Sequence, residues 1–415
     1  MRGQVAAPRQ DGDARNASSS SSAAEAPRDL LRSSRARRCS PAALGAVLAA
    51  SGLASAGHAT TSPATFRHEL AARAVPFLSG LDTVSTIAST IPQDGDENPY
   101  AVLVAPVSSG AIRAGDLLVD DFNSVSNLQG TGTTILIVTP GGTARTFARV
   151  PRHLRGCPGG VGLTTAMAEL RDGWVLVGSA PTSSGTTATA GRGCLVVLTT
   201  TGRVAGAISG PEIDGPWDMA CIDDGSRVTL LMTNTLLGVR APPQHPVERG
   251  DLVRVTLRVS PASPPSATSS TVVASGFPEQ PDVDSRLVVG PTGVVVASGT
   301  AYIADTLANR IVAVPDAITR TNVDREPPTV SSGGLLAGPL GMALAPDGDL
   351  IVANARNGDL VEITRSGRQV AHVAVDPDPA QSPPGDGDLF GVAVTTSPRG
   401  VYFGKDDTNT LALLH

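Results

Sequence analysis

Trp217 and Asp218 stand side by side in EIDGPWDMA, in a chain of 415 residues with only two tryptophans. An indole face beside a carboxylate can stack on a ligand and orient it. The same pair can instead fill a gap between packed elements, with the carboxylate binding turn amides. A second set of polar residues is spaced more regularly. Asp121, Ser179, Asn234, Asp305 and Asn354 each close a short apolar run. A ring of such oxygens can hold Ca²⁺, but Asp and Asn side chains also bond the backbone of their own turns. No G-x-S-x-G, P-loop, H-E-x-x-H or C-x-x-C is present, so no nucleophilic catalysis is read here.

A repeat must position these residues. Gly338 to Ile363 reads GPLGMALAPDGDLIVANARNGDLVEI, three apolar runs separated by PDGD and ARNGD. Asp-Gly and Asn-Gly are hairpin signals because Gly accepts a positive φ. The first run recurs as PYAVLVAP from Pro99, GLTTAMAEL from Gly162, PWDMACID from Pro216, PTGVVVAS from Pro291, PLGMALAP from Pro339 and LFGVAVTT from Leu389. A second and a third run follow each, and most units add a fourth, such as RTFARV, RVAGAIS, TVVASGF and QVAHVAV. The sixth unit ends with the chain after three runs, while LDTVSTIAS (Leu81 to Ser89) is left over ahead of the first. Pairing the two predicts an all-β, six-bladed propeller of four-stranded blades, closed by an N-terminal strand. Hydrophobic content of 41% with 45 Gly and 33 Pro suits short strands and tight turns.

In such a ring the starts of the first strands line one mouth of the central channel, here called the upper face. Asn98, Tyr100, Thr164, Trp217, Asp218 and Phe390 are the candidate ligand-binding residues there. The connections between second and third strands share that face. They are long in units one to three (FNSVSNLQGTG, APTSSGTTATAGRG and TLLGVRAPPQHPVERG) and short in the rest. Long loops on a rigid scaffold are often functional. The expectation is a monomeric binding scaffold whose protein, peptide or glycan ligand contacts the upper face. No cofactor is expected, Ca²⁺ being the cation such a polar ring can take.

IADTLANRIVAV (Ile303 to Val314) and GPLGMALAPDGDLIVAN resemble NHL repeats, over roughly residues 98–415 and most closely in units four and five. The resemblance implies the propeller fold and binding of proteins, RNA or small ligands. It also implies a rival function, because some relatives are metal-dependent lactonases or lyases. In the lactonases a Glu opens the first inner strand, with Asn and Asp partners on later ones. Here Asn98 is nearby, no such Glu is, and unit five offers Leu340. The lyases use several His near the channel, whereas His68, His153, His245, His372 and His415 fall in linker, loops or outer strand.

Targeting features precede the repeat. Residues 1–59 read as a polar leader followed by RSSRARR and the apolar CSPAALGAVLAASGLASAGHA, a secretory signal with cleavage after Ala56 or Ala59. Residues 60–80 read as linker, 81–415 as propeller, and no transmembrane segment is expected in the mature chain. Residues 1–59 hold eight Arg and four acids, so the remainder carries 24 basic and 34 acidic residues, net −10. That balance disfavours nucleic acid. A periplasmic or secreted location permits disulfides. Cys157, in the loop entering the second unit, and Cys194, at the end of that unit's long connection, belong to one face of one blade. They are expected to pair, leaving Cys221 free and buried in mid-strand.

Overall fold

The computed structural model describes residues 75–415, apart from 236–238, 240–244, 282–289 and 388. The leader, the signal and most of the expected linker lie outside the described residues. Strand β1 is Val84–Ser89. Blade one comprises β2 (Glu97–Val104), β3 (Leu117–Asn123), β4 (Thr134–Val138) and β5 (Ala144–Arg149). Blade two follows with β6 (Leu163–Glu169), β7 (Val175–Ser179), β8 (Cys194–Leu198) and β9 (Val204–Ile208). Blade three is β10 (Pro216–Asp223), β11 (Arg227–Asn234), β12 (Val247–Ser260) and β13 (Ser263–Glu279). Blade four is β14 (Pro291–Ala297), β15 (Thr300–Asp305), β16 (Arg310–Val314) and β17 (Thr329–Ser332). Blade five is β18 (Pro339–Leu344), β19 (Leu350–Asn354), β20 (Asp359–Ile363) and β21 (Gln369–Ala374). The last sheet holds β22 (Leu389–Thr396), β23 (Arg399–Lys405) and β24 (Thr410–Leu414), with β1 antiparallel to β24 as its outermost strand.

Every blade is an antiparallel meander, and each first strand touches the first strand of the next blade around to β22 against β2. The fold is a six-bladed β-propeller. Its second and third strands are buried on both faces, as in β7, β8 and β19, because each blade is sandwiched between neighbours. Their Val, Leu and Ile content suits that environment. The cores lie between blades, as in the cluster joining Leu118, Ile135 and Ile137 of blade one to Val175, Val177 and Val196 of blade two.

Two departures from the sequence reading have physical causes. The Ser- and Pro-rich SPASPPSATSS looks like a loop, yet β12 and β13 run through it as a long hairpin, paired from Val247↔Glu279 to Ser260↔Ser263. Neighbouring RVTLRV and STVV supply enough β-branched residues to carry the ladder outward. The described end of the expected linker is also packed rather than free. Leu78 is buried with Phe77 and Leu81 in the core of blades five and six. The Phe77 and Leu78 amides each donate at 2.7 Å to a carboxylate oxygen of the buried Glu362, and the Arg399 guanidinium lies 5.0 Å over the Phe77 ring.

Cys157 and Cys194 form a disulfide with 5.2 Å between Cα atoms, 37 residues apart in sequence. The Gly159 amide donates to the Arg192 carbonyl at 3.0 Å, so two links tie the entry loop of β6 to the connection before β8. Cys221 is free but only half-buried, packed against the core between blades two and three while also lining the central channel. Reduction of the bridge is expected to lower stability by about 2–4 kcal/mol, read from urea unfolding with and without reductant. An unchanged midpoint would mean that the second link holds the loop alone.

Candidate functional site

All six innermost strands share one irregularity. Each pairs normally at its first residue, then gains extra backbone before pairing resumes, as between Pro99↔Asp121 and Val102↔Val119 or Pro216↔Asn234 and Met219↔Met232. Such bulges re-aim side chains and leave ladder groups to be satisfied otherwise. In blade one the freed Ala101 amide donates to Asp120 Oδ1 at 2.8 Å, and in blade three the Asp218 amide donates to Thr233 Oγ1 at 3.2 Å. In blades four to six the bulge carries Gly293, Gly341 and Gly391. A Cβ on any of them would lie about 2 Å from a carbonyl oxygen of the next blade (Leu340, Phe390 or Tyr100). In blade three the same place holds Asp218.

The residue before the bulge forms a ring at the upper face: Tyr100, Thr164, Trp217, Thr292, Leu340 and Phe390, all buried. Tyr100 stacks on Phe122 at 4.6 Å between centroids, meets Phe390 at 4.4 Å and takes an edge contact with Trp217 at 5.9 Å. Trp217 also lies 5.7 Å from Phe122. Ala190 and Val239, from the long connections of blades two and three, join this cluster. The upper mouth is therefore closed by an aromatic plug, and the long loops contribute buried apolar residues to it. Trp217 is 2% exposed, which leaves no free indole face. Thr164 donates its hydroxyl to the Pro216 carbonyl at 2.7 Å, joining blades two and three. Asn98 has φ 68° and is buried, its amide bound to Asn409 Oδ1 at 2.6 Å at the junction of blades one and six.

Below the plug, all six inner strands line a cavity of about 390 Å³. Side-chain exposure grows toward the ends of these strands: Val104, Ile222, Val296, Leu344 and Val394 are part-exposed, whereas the strand starts are buried. The channel thus opens at the lower face, opposite the expected one. Its walls are mostly Val, Leu, Met and Ala, and Asp218 sits just under the plug at the closed end. Asp218 Oδ1 accepts the Met219 amide at 2.8 Å and Oδ2 accepts the Val294 amide at 2.9 Å. Burial pushes its carboxyl up to about 7 although both amides pull it down. A carboxyl with that pKa can exchange a proton at neutral pH. Phe122 and Thr292 complete the plug and were missed in sequence, and Leu340 was noted there only as the apolar residue of unit five. Leu340 and Thr292 occupy the same place in their units as Trp217, which is the signal that would have found them.

The recurring polar residues at the ends of the second strands bind turns. Asn234 Oδ1 accepts the Asp214 and Gly215 amides at 3.3 and 3.2 Å, Asn354 Nδ2 donates to the Leu335 carbonyl at 2.8 Å, and Asp305 pairs with Arg310 at 2.8 Å. Asp121 is the exception: its carboxylate has no hydrogen-bond partner among the described residues, and burial with Asp120, Asp96, Asp94 and Glu97 around it raises its pKa well above the usual range. Asp347, Asp349 and Glu362 lie close enough together to share a cation, but Glu362 already uses both oxygens on the Phe77 and Leu78 amides.

Asp120 is the clearest buried acid, pushed up to about 8 by burial against the pull of the Ala101 amide. The folded protein thus keeps a proton that the unfolded chain, near 3.8, releases. Stability from this group is full at low pH and falls as pH rises toward 8. Between pH 5 and 7 the loss is expected to be on the order of 2–3 kcal/mol, visible as a falling urea midpoint. Asp120→Asn, which can still accept the Ala101 amide, should lessen that slope by the share of Asp120, the raised carboxyls of Asp121, Asp218 and Glu169 keeping theirs. An equal slope in both proteins would place the titration elsewhere.

A divalent metal of the lactonase kind does not fit the upper mouth, whose ring offers aromatic, aliphatic and hydroxyl side chains without a carboxylate. Among the described residues no histidine lines the channel; His372 is on outer strand β21 and His153 in the loop before β6. No family model matches the chain, and no curated protein matches it in sequence. Similar solved structures include a gluconolactonase from Xanthomonas campestris, with TM-score 0.50 and 12% identity over 80% of this chain and 88% of that one. The calcium-binding protein regucalcin from Agrobacterium tumefaciens gives 0.49 and 14% over 79% and 93%. Virginiamycin B lyase from Staphylococcus aureus gives 0.44 and 10% over 80% and 98%. At these identities the likeness is one of fold.

Proposed function

We propose that the protein is a propeller enzyme of the hydrolase or lyase class, acting on a small, largely apolar substrate inside the channel. The observation that carries this reading is Asp218, a carboxyl with a pKa of about 7 at the closed end of a 390 Å³ apolar cavity. Its ionised form would take a proton from a water or from an acidic C–H of the bound substrate, and return it to the leaving group. Cys221 is a poor nucleophile, because burial and Asp223 hold its thiol protonated up to about 12. The fold shared with the Xanthomonas gluconolactonase is compatible with esters and lactones as substrates. A binding scaffold with Trp217 as its platform has less support, since Trp217 is enclosed. An oxidising location, periplasmic or secreted, is part of the proposal, and the Cys157–Cys194 bridge favours it.

The test is turnover of p-nitrophenyl esters and γ-lactones of increasing chain length. Activity is expected to rise with pH through about 7. Asp218→Asn should lower kcat by about 10²- to 10⁴-fold while longer chains still bind. Turnover by that variant at the unmodified rate would refute the assignment.

A further inference from the structure

Where β2, β6 and β10 end, a second cavity of about 500 Å³ adjoins the channel and shares Val104, Met167, Met219 and Cys221 with it. Glu169, the last residue of β6, lines it two positions beyond Met167, so both side chains fall on the same face of the strand. Glu169 is only 6% exposed, and the Val107 amide is the one group directed at its carboxylate, outside close hydrogen-bond geometry. A buried carboxylate with so little hydrogen bonding is costly to leave so. Other polar groups at this rim are already occupied. Asp223 accepts the Arg171 and Gly225 amides, each at 2.7 Å, and Asp116 accepts the Arg113 amide at 2.8 Å. The Cys221 thiol is neutral. Among the described residues Arg171 is the one cation lining the cavity, and it is exposed to solvent.

We propose that this rim binds the ammonium group of an amphiphilic amine, held by Glu169, with the apolar tail lying along the channel. Of the two carboxylates among these Met, Val, Leu and Pro side chains, Asp223 is held by two amides, which leaves Glu169 for a monovalent, hydrogen-bonding cation. A divalent metal would require several more oxygens. Burial raises the Glu169 carboxyl to about 7, with Asp116 adding to the rise and the Val107 amide opposing it. An ammonium beside it reverses that rise, so binding should expel the proton from Glu169 and strengthen as pH increases through about 7.

The inference rests on the channel as the substrate site, though not on Asp218 as its acid–base group. The experiment is calorimetric titration of the full chain with n-hexylamine and n-hexanol at pH 6 and pH 8, in two buffers of different ionisation heat. At pH 8 the amine should bind about tenfold more tightly than the alcohol, the equivalent of one charged hydrogen bond. At pH 6 the preference should shrink, with proton release on binding. Glu169→Gln should abolish the preference and leave hexanol binding unchanged, whereas Asp218→Asn should keep it. Should Glu169→Gln fail to fold, the pH dependence and proton release measured in Asp218→Asn, where Glu169 is the remaining acid of the channel that titrates near 7, decide. Equal affinity for both probes, or a preference lost in Asp218→Asn but kept in Glu169→Gln, overturns the assignment. Hexanol binding without amine preference would leave the channel proposal standing while removing this one.

Discussion

A chain shortened to begin at Ile91 is expected to be insoluble. The cut removes β1, which pairs with β24 from Val84↔Leu414 to Ser89↔Thr410. It bares a strand of sequence TLALL with unpaired N–H and C=O groups, a template for edge-to-edge association. The same cut removes Phe77 and Leu78, which leaves the buried Glu362 carboxylate without its two amides and opens the core of blades five and six. Burial already raises the Glu362 pKa, so the loss of those amides leaves a protonated or uncompensated acid inside the fold. Light scattering and the soluble fraction after expression give the readout. A soluble, cooperatively unfolding product would show that β24 needs no partner.

Trp217→Ala is expected to cost about 3–5 kcal/mol of stability, the range for a fully buried aromatic. Trp217 is among the largest wholly buried side chains and contacts Tyr100 and Phe122 by their ring edges or faces. Truncation would leave a void at the axis, where residues of several blades meet and cannot all relax inward. Trp217→Phe should recover much of the loss, because the indole Nε1 makes no hydrogen bond in the plug. Equilibrium denaturation of both variants provides the measurement. A normal midpoint for the alanine variant combined with lost ligand binding would reinstate Trp217 as a contact surface.

How much of this was legible in sequence differs between strands and site. The blades were readable because short apolar runs and Asp-Gly or Asn-Gly turns are local signals, and six copies reinforce one another. The Cys157–Cys194 pairing followed from topology, since both loops were assigned to one face of one blade. The channel was harder to read. The sequence located the ring of Tyr100, Trp217 and Phe390, but not that its aromatic members meet at the axis. That depends on inter-blade distance and on Phe122 and Val239 arriving from other segments. For the same reason the sequence did not show which end of the channel the aromatic cluster covers. Glu169 was invisible because a lone acid ending an apolar strand looks like an ordinary solvated residue until the neighbouring blades enclose it.

The aromatic plug also has a kinetic meaning. A tube open at both ends lets one molecule enter while another leaves, but a tube closed behind Asp218 has a single doorway. Its lining comes from six packed strands rather than movable flaps, so two molecules cannot pass one another inside it. If the proposed chemistry takes place at Asp218, its product must depart before the next molecule can advance. Turnover would then be paced by exit, and the departing species would inhibit competitively at concentrations comparable with its own affinity for the channel.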